Sequence, residues 1–174
     1  MYHSEKLSRT LAYLLRHDCA YSYESGGWRA LSDLVDNHSF TIGEIEMLVN
    51  TDSKGRFELN EDKSKVRALY GHSINVDLAL SNDTPPEFLY HGTASKYISS
   101  IKNHGLLPRS RQYVHLTENM EMAEKTGFRH GEPIILKIFS NLMFNEGYTF
   151  HCLNNGVWLT KEVPIQYIDI INQE

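Results

Sequence analysis

Phe88-Leu89-Tyr90-His91-Gly92-Thr93 is a short apolar run that ends on a histidine and a glycine. Alternation of Leu89 and His91 against Tyr90 and Gly92 fits a strand, and a strand that ends on glycine exposes bare backbone that a bound molecule can approach. Three punctuated pieces follow it in order: Val114-His115-Leu116, Gly127-Phe128-Arg129-His130-Gly131 and Asn155-Gly156-Val157-Trp158-Leu159-Thr160. Each pairs a short apolar stretch with a histidine, a glycine or an arginine, so the C-terminal half reads as β-rich with its chemistry at strand ends and loops.

Downstream of the opening strand, Ser95 is expected to cap a helix carrying Tyr97, Ile98 and Ile101 on one face, closed by Gly105. Thr117 is expected to start a helix that runs to Gly127, before a loop at Arg129-His130-Gly131 and a strand from Pro133 to Ile138. Strands are predicted at Gly147–Cys152 and Val157–Thr160, joined through Asn154-Asn155-Gly156, a tight-turn signal. A last strand is predicted at Ile165–Ile171.

Upstream the pattern changes. Leu7, Leu11, Leu14 and Leu15 recur at helical spacing behind Ser4, a candidate cap, and this helix ends at Arg16-His17, cations at the negative end of the helix dipole. After Gly26-Gly27-Trp28, read as a loop, Leu31, Leu34 and Val35 mark a second helix. Thr41 with Glu44 forms a capping box for a third, with Ile42, Ile45, Leu48 and Val49 along one side. Arg56–Leu59 and Lys65–Ala68 alternate about the turn-rich Asn60–Ser64 and predict a β-hairpin, with Lys65 and Arg67 on one strand face. Gly71-His72-Ser73 lies in a loop. Ser81-Asn82-Asp83-Thr84-Pro85-Pro86 reads as a linker, which divides the chain into lobes at 1–82 and 83–174. The expected class is α+β.

Composition narrows the function. With 174 residues, 41% hydrophobic and 22% charged, the chain has the balance of a folded, soluble protein of one domain or two small lobes. Its N-terminus shows no apolar signal segment and its longest apolar run is interrupted by Lys137, so membrane insertion and export are not expected and a cytoplasmic location is. Cys19 and Cys152 are far apart and lack metal-ligand spacing; neither a disulfide framework nor a metal site is expected. A net charge of −5 argues against indiscriminate binding to nucleic acid and leaves room for a local cation cluster that recognises one phosphate.

The punctuated pieces resemble the ADP-ribosyltransferase fold. Together with Leu15-Arg16-His17, Val66-Arg67-Ala68 and Gly71-His72-Ser73, seven motifs in order resemble the RNA 2′-phosphotransferases of the KptA type. That resemblance implies an N-terminal winged-helix lobe and a C-terminal ADP-ribosyltransferase-like lobe. It also implies a reaction: an internal 2′-phosphate on RNA passes to NAD through a 2′-phospho-ADP-ribosylated RNA intermediate. The products are 2′-hydroxyl RNA, ADP-ribose 1″,2″-cyclic phosphate and nicotinamide, and the setting is tRNA processing and splicing. Carried onto matching positions, Arg16, His17, Arg67 and Arg129 are catalytic. His91, Gly92, Thr93, Gly105, Leu106, His115 and Thr117 surround NAD, and Arg16, His17, Lys65, Arg67, His72 and Ser73 hold the RNA phosphate. NAD is a co-substrate, no metal is needed, and the protein is expected to act as a monomer.

Leu69-Tyr70 before Gly71, Thr117 after Val-His-Leu, and Leu153-Asn154 before Asn155 depart from the family pattern at substrate-contact positions. Two competing readings rank lower. An ADP-ribosyltransferase acting on protein or on nucleic-acid ends is disfavoured, for protein targets, because Asn155-Gly156-Val157 stands where such enzymes carry a glutamate. A non-catalytic winged-helix module that senses NAD has no need of four cations directed at a phosphate.

Overall fold

The computed structural model describes residues 2–171, Tyr2 and His3 by backbone alone. The chain divides into two compact units, Met1–Leu80 and Ser81–Glu174. Helices and antiparallel sheets occur in both, so the class is α+β.

The first unit begins with α1 (Tyr2–Arg16), and Ser4 lies inside that helix rather than capping it. Leu11 and Leu15 are fully buried and Leu14 nearly so, as the helical spacing requires. Between α2 (Leu31–His38) and α3 (Ile42–Asn50) the expected capping box is present: the Thr41 hydroxyl accepts from the Glu44 amide at 3.2 Å, and the Glu44 carboxylate accepts from the Thr41 amide at 2.8 Å. Such a cap is worth about 1 kcal/mol. Strands β2 (Phe57–Leu59) and β3 (Lys65–Ala68) form the hairpin in the register Phe57↔Ala68, Glu58↔Arg67, Leu59↔Val66. Val66 and Ala68 therefore enter the core, and Lys65 and Arg67 take the other face.

A third strand, β1 (Trp28–Ala30), lies on the other side of β3, giving the order β1-β3-β2. Trp28, expected in a loop, is the first residue of this strand. Three residues are too few to show alternation, and the Gly26-Gly27 pair that suggested a loop instead takes positive φ (+89° and +76°) to turn the chain into the strand.

The second unit holds β4 (Leu89–Ala94), α4 (Ile98–His104), β5 (Val114–Thr117), α5 (Met120–Phe128), β6 (Pro133–Ile138), α6 (Ser140–Asn145), β7 (His151–Cys152), β8 (Val157–Thr160) and β9 (Ile168–Ile171). Six strands form one antiparallel sheet in the order β7-β8-β5-β4-β6-β9. Its core gathers Leu89, Leu116, Leu136, Ile138, Met143, Phe150 and Trp158. The turn at Asn155-Gly156 closes with the Leu153 amide on the Val157 carbonyl (2.9 Å), and Gly156 takes φ +77°.

Several boundaries differ from expectation for identifiable reasons. Ser95 opens a 3₁₀ turn (Ser95–Tyr97) without a side-chain cap bond, and α4 follows it. Thr117 closes β5; the cap of α5 is Asn119, whose side chain accepts from the Met122 amide at 3.0 Å. Asparagine is as good a cap as threonine, so composition alone could not choose. Residues Gly147–Phe150 precede β7 instead of joining it, residues Ile165–Tyr167 form a 3₁₀ turn before β9, and α6 is too short for its period to register in the sequence. The segment read as a linker is tied to β7: the Asp83 amide bonds the Phe150 carbonyl (2.8 Å) and the Asp83 carboxylate accepts from the Cys152 amide (2.8 Å).

The sheet is uneven at its centre. β4 pairs with β6 over six residues, from Leu89↔Ile138 to Ala94↔Pro133, and β5 pairs with β8 over four. Between β4 and β5 the ladder consists of one pair, Tyr90↔Thr117. Beyond Tyr90 the two strands part, at the His91-Gly92-Thr93 stretch.

Candidate active site

Arg16 is the last residue of α1, so the fold fixes its Cα while its long side chain reaches beyond the helix end. Its guanidinium lies over the Tyr70 ring, 5.0 Å from the centroid, and against Gly71. A Cβ at Gly71 would sit 3.2 Å from the guanidinium carbon, a tight contact that would push Arg16 aside, and the φ of +91° is one that side-chain-bearing residues rarely adopt. The Ser73 amide donates to the Arg16 carbonyl (3.0 Å), and the Ser73 hydroxyl meets His17 Nδ1 at 2.7 Å. The Gly71-His72-Ser73 loop thus closes onto the end of α1 and orients the His17 ring. The Ser73 hydroxyl thereby fixes the rotation of an imidazole, the side chain best suited to proton transfer near neutral pH.

His72, expected at the RNA phosphate, is only 1% exposed, and neither ring nitrogen has a hydrogen-bond partner among the described residues. Burial, then the nearby Arg16 and His17, pull its pKa down to about 4. It is neutral at physiological pH and backs the cluster from inside.

Arg67 projects from β3 as the alternation requires, and its fork is occupied. Nε and Nη2 reach one Glu58 carboxylate oxygen at 2.7 and 2.5 Å, Nη1 donates to the Gly26 carbonyl at 3.2 Å, and the group stacks on Trp28 at 4.4 Å. Lys65, on the same face, is paired with Glu24 at 2.6 Å. Two cations expected at the phosphate are therefore held by carboxylates. Gly26 and Gly27 link the parts: Gly26 accepts from Arg67, and Gly27 lies beside His72.

In the second unit, His91 Nδ1 donates to the His115 carbonyl at 2.9 Å, across the place where β4 and β5 part. The ring takes the position of a missing ladder bond, and its Nε2 is left as an acceptor. Burial holds its pKa below the ordinary histidine value, the His115 carbonyl works the other way, and His130 and Arg111 add to the lowering. Thr93 is buried, and the Thr117 hydroxyl accepts from the Asn119 amide at 3.1 Å.

The reason for Gly92 differs from the sequence reading. A Cβ there would lie 1.6 Å from the Ala123 carbonyl oxygen, so the neighbour of its bare backbone is α5. Gly127 matches it from the helix side, where a Cβ would come within 2.7 Å of the Thr93 carbonyl. Gly105 and Leu106 are likewise engaged by the fold: the Gly105 amide bonds Ile101, and Leu106 exchanges both backbone bonds with Val163 at 2.8 and 2.9 Å. Arg129 follows α5 as its C-cap and is exposed, with His130 and Gly131.

The structure thus brings Arg16, His17, His72 and Ser73 together, with Arg67 across the Gly26-Gly27 turn. It places His91, His115 and Thr117 along the parting of two strands. Sequence reasoning missed Tyr70, Trp28 and Glu58, which aim the arginines; only the register Glu58↔Arg67 and Trp28↔Arg67 reveals the last two.

Arg16 and His17, fixed at a helix end by the Gly71-His72-Ser73 loop, form a cluster of side-chain types suited to anionic groups in an α+β protein. The chain belongs to the RNA 2′-phosphotransferase, Tpt1 / KptA family, whose model matches residues 2–162. It is 44% identical over 169 residues to a probable RNA 2′-phosphotransferase of Acaryochloris marina, covering 92% of this chain and 93% of that one. Proteins of the same description from Trichormus variabilis (39% identity; 96% of each chain) and Fusobacterium nucleatum (41%; 94% of this chain, 96% of that one) are also similar.

Proposed function

We propose that this protein removes an internal 2′-phosphate from RNA by transferring it to NAD, giving 2′-hydroxyl RNA, ADP-ribose 1″,2″-cyclic phosphate and nicotinamide. The observation that carries this is the cluster at the end of α1, where His17 and Ser73, 56 residues apart, meet beside Arg16 in a chain of this family. The three helices and the β1-β3-β2 sheet of the first unit are assigned to a winged-helix lobe, and the six-stranded sheet of the second to an ADP-ribosyltransferase-like lobe.

A phosphate monoester carries about −1.5 to −2 charges at neutral pH. Arg16 supplies a planar fork for its oxygens, prevented from swinging by Tyr70 and Gly71. His17, oriented by Ser73, returns a proton to the RNA 2′-oxygen as it becomes a hydroxyl. Arg67 is assigned to the phosphoryl oxygens, where charge accumulates during transfer, and the exposed Arg129 of the second unit keeps the catalytic role that the family resemblance implies. Phosphate must compete with Glu58 for Arg67, so that arginine changes partner when RNA binds.

The second unit fits a dinucleotide at the parting of β4 and β5. His91 Nε2 is an acceptor for a ribose hydroxyl, and the strand edges beyond Tyr90↔Thr117 can bond a carboxamide. His91, Thr93, His115 and Thr117 would hold NAD there, Gly92 shaping the floor beneath them. When bound, NAD supplies the ribose that accepts the phosphate and the nicotinamide that leaves.

The test is to incubate the protein with NAD and an oligoribonucleotide bearing one internal 2′-phosphate. Loss of the phosphate is expected only with NAD, with one nicotinamide released per phosphate. Equal loss without NAD would make the protein a phosphatase, and a stable ADP-ribosylated end product would favour simple ADP-ribosyl transfer.

A further inference from the structure

Arg29 is 2% exposed and is one of the largest fully buried side chains among the described residues, and no motif draws attention to it. Its guanidinium lies beneath the last turn of α1. Nη1 donates to the Leu14 carbonyl and to Asp18, both at 2.8 Å; Nε donates to Asp33 at 2.6 Å; Nη2 donates to His38 Nε2 at 2.8 Å; and the Tyr21 ring covers it at 4.2 Å. Because arginine only donates, His38 accepts through Nε2 and carries its proton on Nδ1.

These contacts bracket Arg16 and His17. A helix leaves its last four carbonyls without intrahelical partners, and three of those of α1 find partners beyond its end: the Tyr13 carbonyl takes the His17 amide, Leu14 takes Arg29 and the Tyr23 hydroxyl, and Arg16 takes the Ser73 amide. Asp18, the residue after His17, is pinned by Arg29 on one oxygen and by the Ala20 amide on the other. The Arg16-His17 pair is thus held from both sides along the chain by one guanidinium.

The same strand positions the other arginine. In β1, Trp28 stands opposite Arg67 and stacks on it, and Arg29 stands opposite Val66. Adjacent residues of a strand point to opposite faces, so β1 presents Trp28 to Arg67 and Arg29 to the end of α1.

A buried ion network is costly to desolvate, and apolar replacements are often neutral or stabilising, so stability alone is a poor reason for this one. We infer that Arg29 is a positioning residue, which sets where Arg16 and His17 stand relative to Arg67 when the phosphate is held between them. This rests on the proposed reaction, since it assigns Arg29 a purpose in that site.

The test uses the full chain with Arg29→Lys, which keeps the charge and loses the fork, and Asp18→Ala, which keeps Arg29 in place and frees the segment after His17. Folding is checked by circular dichroism, and the His17 imidazole resonance is followed by NMR without substrate. With NAD and the 2′-phosphorylated oligoribonucleotide, kcat is expected to fall about 10-fold or more for Arg29→Lys and about 3-fold or more for Asp18→Ala, with KM within 3-fold and a displaced His17 resonance. Folded variants with wild-type kcat and an unmoved resonance would overturn the inference, as would a change confined to KM. Should Arg29→Lys fail to fold, Asp18→Ala decides alone. A wild-type protein inactive on this RNA would refute the proposed reaction, and the His17 resonance would still decide whether Arg29 places that residue.

Discussion

Gly92→Ala tests why the strand at the centre of the second unit ends as it does. The new methyl carbon would lie 1.6 Å from the Ala123 carbonyl oxygen, about half a normal contact, and 3.0 Å from the Gly127 amide nitrogen. Both neighbours are backbone of α5, so no side-chain rotation relieves the clash; the helix must move away from β4. Overpacking of this kind costs about 3 kcal/mol, the upper part of its usual range. For a unit of this size that lowers Tm by roughly 12–24 °C. Hydrogen exchange without any ligand should show faster exchange across β4 and α5, with peptides from the first unit unchanged, and a thermal scan should show the lowered transition. If Gly92→Ala keeps wild-type Tm and exchange and loses only affinity for NAD, the glycine serves a ligand and the helix-packing argument is wrong.

Acid should weaken the first unit through His72. A buried neutral imidazole with a folded pKa of about 4 against an ordinary 6.5 favours the native state fully above pH 6.5, and this advantage disappears as pH falls towards 4; the gap corresponds to about 3 kcal/mol. Urea unfolding of His72→Gln between pH 7 and 4.5 should show a flatter pH dependence than wild type, and parallel curves would refute it. At lower pH, Asp18 and Asp33 take over. Burial raises both, but hydrogen bonds, from Arg29 and the Ala20 amide to Asp18 and from Asn37 and Arg29 to Asp33, hold them below 3.8; their contribution is present above that pH and is lost as pH falls through the lowered values. Arg29→Met should therefore reduce the steepness of acid unfolding below pH 4. Glu58→Gln removes the charge that competes for Arg67 and should tighten binding of 2′-phosphorylated RNA several-fold by fluorescence anisotropy, with weaker or equal binding counting against the partner exchange. Asn119→Ala should cost about 1 kcal/mol through loss of the α5 cap, measured by urea unfolding of the second unit.

Features set by near neighbours were legible in the sequence. The leucine spacing gave α1 its buried face, Thr41 and Glu44 gave the capping box, alternation gave the β2–β3 hairpin with Lys65 and Arg67 on one side, and Asn155-Gly156 gave the turn. The ordered motifs are enough to indicate the family, and they group Arg16, His17 and Ser73, of which His17 and Ser73 meet in the fold. These depend on helical and strand periods and on turn chemistry, which act over a few residues.

What the tertiary structure alone decided depends on pairing between distant segments. Nothing in Trp28-Arg29-Ala30 indicates that Arg29 is buried under α1 while Trp28 faces Arg67; that follows from the register of β1 on β3. Glu58 reads as an ordinary solvated carboxylate until the hairpin sets it opposite Arg67, and His72 reads as a phosphate ligand until the loop buries it. Gly92 reads the same whether a ligand or a helix approaches, because a missing side chain records that something comes close and not what it is. The parting of β4 from β5 after one pair is a property of two separate strands, and the bond by which the His91 ring bridges it reaches a carbonyl 24 residues away that the sequence does not indicate. A chain encodes its periods locally, but burial and partner choice are settled only when remote segments compete for the same space and the same hydrogen bonds.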